Sequence, residues 1–232
     1  MAHKKTTIVS LGGSLIAPSQ NVDVAFLRRF KKMITDYVTA GDQRVVIICG
    51  GGKINTHYNE SVKKLARPSH RDLDWLGIMV TRANAEMVRV MFGDLAHERV
   101  IYNPSEKIRA TKPIIVGAGW EPGCSTDKDA VLIALNFGAR TVLNLSNIDY
   151  VYDKDPHKFS DARRLVDLTW SELRAIVGNT WSPRINAPFD PIAARLAQKE
   201  RLKVVILNGR KLANVKRFLD GKSYSGTTIS GK

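Results

Sequence analysis

Cysteine is scarce. Cys49 and Cys124 are the only two in 232 residues, with no CxxC pair and no metal-ligand spacing. That argues against a disulfide scaffold or a structural zinc and for a reducing compartment. Long hydrophobic runs are absent as well: no stretch approaches the roughly 18 uninterrupted apolar residues of a membrane span. The basic start MAHKK leads into an apolar run that breaks at Gly12-Gly13-Ser14. That run is too short for a secretory segment, so a cytoplasmic location with no membrane association is expected. Acidic residues are few: 22 Asp and Glu against 36 Lys and Arg give a formal charge of +14. Such a balance favours anionic partners, either nucleic acid or phosphorylated small molecules. The basic residues sit in short clusters such as RRFKK, which read as solvated helix faces. The common nucleotide motifs are missing too. There is no GxxxxGK[ST] and no GxGxxG at a strand–helix junction, so neither a P-loop nor a Rossmann assignment has support.

What is present is a set of short Val- and Ile-rich runs: TIVSL, VVIIC, PIIVG and KVVIL, with a half-polar fifth, TVLNL. They mostly do not alternate, which suits strands buried on both faces of a parallel sheet. Helical patterns lie between them. Val24 to Val38 places Phe26, Phe30, Met33, Ile34 and Tyr37 at helical spacing, and Leu73 to Phe92 is apolar around much of its circumference. In DPIAARLAQK, Asp190 can cap and Pro191 suits the first helical position. TWSELRAI carries a Thr169/Glu172 capping-box pattern. The alternation predicts an α/β fold with a largely parallel sheet and helices on both faces, and the length suits one large domain or two small ones. Arg67 to Leu73, Asn147 to Ala162 and Gly178 to Asp190 read as loops, and any boundary between lobes falls near the second.

Three glycine-bearing loops follow three of the strands: LGGSL, CGGGK and AGWEPGCSTDKDAV. Each stands where a buried strand ends and a helix should begin, the edge at which open α/β sheets bind ligands. Glycine lets backbone N–H groups approach phosphate oxygens, and a helix start supplies unpaired N–H groups. In the third loop Ser125, Thr126 or Asp127 is the expected helix cap. Asp74 and Arg82 are eight apart and share a helix face. There an arginine can hold phosphate, and an aspartate can accept from sugar hydroxyls.

Taken in order, these loops resemble the amino acid kinase family, and within it the uridylate kinases of the archaeal type. IVSLGGSLI is similar to the family's opening strand and loop, GGGK to its second loop, DWLGIMVTRANA to the uridylate kinase helix and EPGCSTD to that group's PGxTTD loop. SNIDYVYDKDP is similar to TNVDGVYxxDP, DPIAARLA to DPLAAK and GTTI to the C-terminal strand. The resemblance implies a three-layer α/β/α sandwich with a largely parallel central sheet, as a single domain over residues 1–232, together with transfer of the ATP γ-phosphate to UMP, Mg²⁺ bound through ATP, and a hexamer built from dimers. It implies that Gly13, Ser14 and Gly52 approach the ATP phosphates and that Ser146, Asn147, Tyr152 and Asp155 flank the adenosine. Gly51, Asp74, Arg82 and the loop Trp120, Glu121, Pro122, Gly123, Cys124, Ser125 and Thr126 would bind UMP. Residues 1–145 would form the acceptor and dimerisation lobe, and residues 146–232 the ATP lobe.

Some positions depart from the family. Ser10 stands where many members have lysine, Arg195 where DPLAAK has lysine, and Thr56 where archaeal relatives can carry arginine. SPRINAPFDP replaces a glycine–serine stretch. Lys53, Arg184 or Arg195, the last placed by Asp190, are the candidate catalytic cations. His57 reads as a surface or ATP-side residue, and Trp120 and Trp181 as packing. The alternatives to a UMP kinase are another small-acid or phosphate kinase of the family, or a nucleotide-sensing or RNA-binding regulator. No run of interleaved basic and aromatic residues supports nucleic-acid binding.

Overall fold

The computed structural model describes residues 5–123, 125–156, 158–180 and 187–231. The expected strands form as β1 (Lys5–Leu11), β2 (Gln43–Cys49), β3 (Ile114–Gly117), β4 (Thr141–Ser146), β8 (Lys203–Asn208) and β9 (Thr227–Ile229), and three short strands not expected from the sequence join them: β5 (Val151–Tyr152), β6 (Arg164–Leu165) and β7 (Asp167–Leu168). A seven-stranded sheet has the order β3-β2-β1-β4-β8-β9-β7, and β5 and β6 pair separately. The pairings from β3 through β8 are parallel, and β9 runs antiparallel to β8. The β5–β6 hairpin lies around the stretch read as the loop Asn147 to Ala162. Its strands are two residues long, too short to carry a periodic signal.

The helices are α1 (Gly13–Ile16), α2 (Val24–Thr39), α3 (Gly52–Leu65), α4 (His70–Phe92), α5 (Thr126–Asn136), α6 (Trp170–Val177), α7 (Pro191–Lys199) and α8 (Leu212–Leu219). They cover both faces of the sheet. Val45 and Ile47 of β2 point into a core shared with Phe26 and Phe30 of α2, Val88 of α4 and Val215 of α8. Val46 and Ile48 point the other way, toward Ala130 and Ile133 of α5, Trp170 of α6 and Ala193 of α7. Successive strand residues face opposite sides, so a strand covered on both must be apolar throughout. Burying each such aliphatic side chain stabilises the fold by roughly 1.5–3 kcal/mol.

Local chemistry sets the helix ends. Asp23 caps α2 by accepting from Phe26 N at 2.9 Å. Ser69 and Asp72 form a capping box that starts α4 at His70, so the loop expected over Arg67 to Leu73 is shorter than the apolar spacing suggested. Thr169 and Glu172 form the expected box on α6. Asp190 caps α7 with Pro191 in its first turn.

Candidate active site

Chain connections run from β1 outward to β2 and β3 on one side, whereas β4 and β8 lie on the other. The crevice above β1 and β4 is therefore a topological switch point, where open α/β sheets bind ligands. The loops after β1 and β2 meet there backbone to backbone. Gly12 N donates to Leu145 O (2.9 Å) and Gly50 N to Leu11 O (3.0 Å). A Cβ on Gly13 would collide with Gly52 N, and one on Gly52 with Gly13 O. Gly52 also has φ +68°, the left-handed region that suits glycine. From α4, the buried Asn84 Nδ2 donates to Gly50 O (2.8 Å) and Gly51 O (3.2 Å), which fixes the second loop. The result is a side-chain-free seam at the start of α3.

Two carboxylates lie at the floor of this crevice. Asp127 Oδ1 accepts from Ser10 Oγ (3.1 Å) and Asn144 Nδ2 (3.0 Å), and its Oδ2 accepts from Asp190 N (3.2 Å). Asp190 accepts from Ile192 N and Ala193 N through Oδ1 and from Ser125 N (3.1 Å) through Oδ2. The pair thus ties β1, β4, α5 and α7 together at one point. Asp127 keeps some accessible surface but is ringed by protein at the cleft bottom. Burial, then the charge of Asp190, pushes its pKa up to about 7. Ser10, where many family members have lysine, is buried and serves as a hydroxyl donor to Asp127.

The third loop arches over α4. Gly119 N donates to Thr81 Oγ1 (2.9 Å), and Gly123 N donates to Asp74 Oδ2 (2.9 Å). Arg82 donates to Gly119 O (3.4 Å) and Trp120 O (3.2 Å), with its guanidinium 4.6 Å from the Tyr102 ring centre. Asp74 and Arg82 therefore do share a face, and both hold this loop. Trp120 N donates to the buried Asp129 Oδ2 (3.3 Å), and Lys128 lies 5.9 Å from the Trp120 ring. Lys128 also pairs with Glu121 at 3.5 Å. Arg71, Asp74, Glu121, Pro122 and Gly123 line a cavity of about 450 Å³. The cap of α5 is Ser125, which accepts from Asp127 N (3.2 Å), so Thr126 opens the helix. Cys124, Trp181 and Arg184 lie outside the described residues.

On the other side, Ser146 and Asn147 stand at the end of β4, Tyr152 in β5, and Asp155 in the turn beyond. Asp149 accepts from Asn208 Nδ2 (3.0 Å) and Lys211 Nζ (2.8 Å), which locks the ends of β4 and β8 to each other. Lys53 and His57 line a cavity of about 590 Å³ with Thr56, Glu60 and the loop Pro18 to Asn21. Lys53 N donates to Ala17 O (2.9 Å), which places that cavity beside the glycine seam. Arg195 is exposed on α7, just beyond the cap made by Asp190. Among the described residues no group of three or more His, Cys, Asp and Glu forms a cage for a metal ion.

Sequence reasoning missed Asp127 as a buried anchor, treating it only as a possible cap, and passed over Asn144 and Asp129. A signal for Asn144 existed: an amide in the middle of TVLNL has to find a partner once the strand is buried. Nothing of that kind marked Asp127, whose partners come from three distant segments.

The chain matches the amino acid kinase family over residues 5–208 and belongs to it. It is 30% identical over 226 residues to a uridylate kinase of Methanobrevibacter smithii, covering 96% of this chain and 98% of that protein. It is 33% identical over 235 residues to a uridylate kinase of Methanoregula boonei, covering 98% and 97%. Among solved structures, a uridylate kinase from Archaeoglobus fulgidus superposes with a TM-score of 0.81 at 27% identity, covering 97% of this chain and 99% of that one.

Proposed function

We infer that this protein transfers the γ-phosphoryl group of ATP to UMP. The observation that carries this reading is the glycine seam at the switch point, with the cavity lined by Asp74 and the loop Glu121 to Gly123 on one side and the ends of β4 and β8 on the other. Backbone N–H groups from both glycine loops can face the transferring group with no side chain between them. The similarity to uridylate kinases supports UMP as acceptor. In this assignment residues 1–145 bind UMP and residues 146–232 bind ATP.

The reaction makes a bond from an acceptor phosphate oxygen to the γ-phosphorus and breaks the bond to the bridging oxygen of ADP. The acceptor phosphate is already ionised, so positioning and charge neutralisation matter more than a strong base. In this reading Mg²⁺ comes bound to ATP as part of the substrate, and it would supply charge neutralisation on the phosphates. Asp127, poised near neutrality, can shed its charge when phosphate approaches. Lys53 and Arg195 are the cations assigned to the developing negative charge. Among the described residues no helix is long and apolar enough to cross a membrane, and a cytoplasmic site of action goes with this reading. In this reading the protein assembles as a hexamer, a trimer of dimers; the exposed apolar side chains of Trp75, Met79 and Val90 on α4 (38%, 48% and 65%) support burial of that face in an interface.

The test is ATP-dependent turnover with UMP, CMP and isopentenyl phosphate side by side. UMP should give the highest kcat/KM. A clear preference for a non-nucleotide acceptor would overturn the reading.

A further inference from the structure

The hairpin β5–β6 follows the end of β4 and carries Tyr152, yet its strands pair over two residues each: Val151 with Leu165 and Tyr152 with Arg164. A hairpin that short does not hold itself in water. Its own ion pairs, Lys154 with Asp161 (2.6 Å) and Arg163 with Asp153 (3.0 Å), are partly exposed and contribute little. On one side β6 runs on through Val166 into β7, which pairs with β9 in the main sheet. Among the described residues β5 pairs with no strand of that sheet.

What ties β5 to the main sheet is a side chain. Thr227 of β9 is fully buried. Its Oγ1 accepts from Val151 N (2.9 Å) and donates to Leu165 O. Val151 and Leu165 stand opposite each other in the hairpin, so one hydroxyl grips a backbone group from each strand. Thr227 is itself paired with Ile206, two residues before β8 ends at Asn208. The clamp therefore sits toward the end of β8 that borders the cleft. Val151 and Ile206 belong to the apolar core on this face. A hydroxyl buried there is costly unless it is hydrogen-bonded, and this one both donates and accepts. From Val151 the chain passes directly to Tyr152 and then to the turn with Asp155, so whatever sets Val151 sets them. The acceptor wall is held separately, by Asp74 of α4 on Gly123 N.

We propose that Thr227 is a positioning residue for ATP: its hydroxyl sets the hairpin β5–β6, and with it the wall of the donor-nucleotide cleft, without touching the nucleotide. The inference rests on residues 146–232 binding ATP.

The experiment measures kcat and the KM values for ATP and UMP in the wild-type protein, Thr227→Val and Thr227→Ser. Valine keeps the shape and loses both hydrogen bonds, whereas serine keeps the hydroxyl. Thr227→Val should raise KM for ATP about tenfold, the factor of one ordinary hydrogen bond, and leave KM for UMP and kcat at saturating ATP near wild type. Thr227→Ser should restore KM for ATP. Equal rises in both KM values, or a lower Tm with KM for ATP unchanged, would mean a merely structural role and overturn the proposal. So would a serine variant that behaves like the valine one. Hydrogen exchange on the wild type covers a valine variant that fails to fold. Mg-ADP should slow exchange over residues 151–165 more than UMP does, and equal slowing, or none, would overturn the proposal. If the wild type turned over no UMP while Mg-ADP still protected the hairpin, the kinase reading would fall and the role of Thr227 in nucleotide binding would stand.

Discussion

Asp129→Asn should reverse the sign of its effect on stability between acid and alkaline pH. Asp129 is 2% exposed and, among the described residues, accepts only from Trp120 N at 3.3 Å through Oδ2, with no partner on Oδ1. Burial pushes its pKa up to about 7, against an unfolded value near 3.8. The folded state thus holds a proton that the unfolded state has released. Stability is highest below the unfolded pKa, falls as pH rises between about 4 and 7, and is flat above that. The span of about three pKa units sets a ceiling of about 4 kcal/mol on the loss. Asparagine keeps an acceptor for Trp120 N but buries an unpaired NH₂, at a cost of about 1–3 kcal/mol at every pH. The variant should be less stable than wild type at pH 4, where the wild type has lost only about 0.6 kcal/mol, and more stable at pH 8. For a chain of this length, each 1 kcal/mol moves Tm by about 2–4 °C. Thermal unfolding of both proteins at the two pH values tests this. Parallel Tm–pH curves would refute the assignment of a buried, proton-binding Asp129.

Asp74→Asn should weaken UMP binding by about 1.5–3 kcal/mol, the range for a hydrogen bond to a charged group, and leave ATP binding nearly intact; calorimetry with each nucleotide separates the two. Gly13→Ala drives a methyl group into Gly52 N, so it should lower Tm clearly and abolish turnover. An active, stable Gly13→Ala protein would mean that the two loops do not form a shared seam. Arg195→Ala and Lys53→Ala should lower kcat by about 10²–10³-fold with little change in nucleotide KM if each is a transition-state cation. Near-full turnover in both would leave charge neutralisation to Mg²⁺ and backbone N–H groups.

The strands, the long helices and the glycine loops were legible because each is written in adjacent residues. VVIIC needs no distant information to read as a strand buried on both faces, and Thr169 with Glu172 announces a helix start by itself. The floor of the cleft was not legible. Asp127 acquires its meaning from Ser10, Asn144 and Asp190, which the sheet order brings together from separate parts of the chain. Arg82 shows the same limit. Its position on the face of Asp74 followed from spacing, but its commitment to the carbonyls of Gly119 and Trp120 depended on where the loop came to rest. Trp120 was read both as a UMP-binding residue and as packing; its ring lies 5.9 Å from Lys128 Nζ, a neighbour that the sequence did not single out.

The contact between Gly13 and Gly52 also limits how such a site can change over generations. Neither position has room for even one methyl group, so the seam, the proposed place of phosphoryl transfer, offers no handle for substitution. Variation is confined to its surroundings: Thr56 on α3, the Asp74 face of α4, and the loop that α4 holds. A lineage can therefore exchange one acceptor for another by altering those walls while the reaction centre stays as it is. The same constraint tells an engineer where to begin: the acceptor walls are open to redesign, and the seam is not.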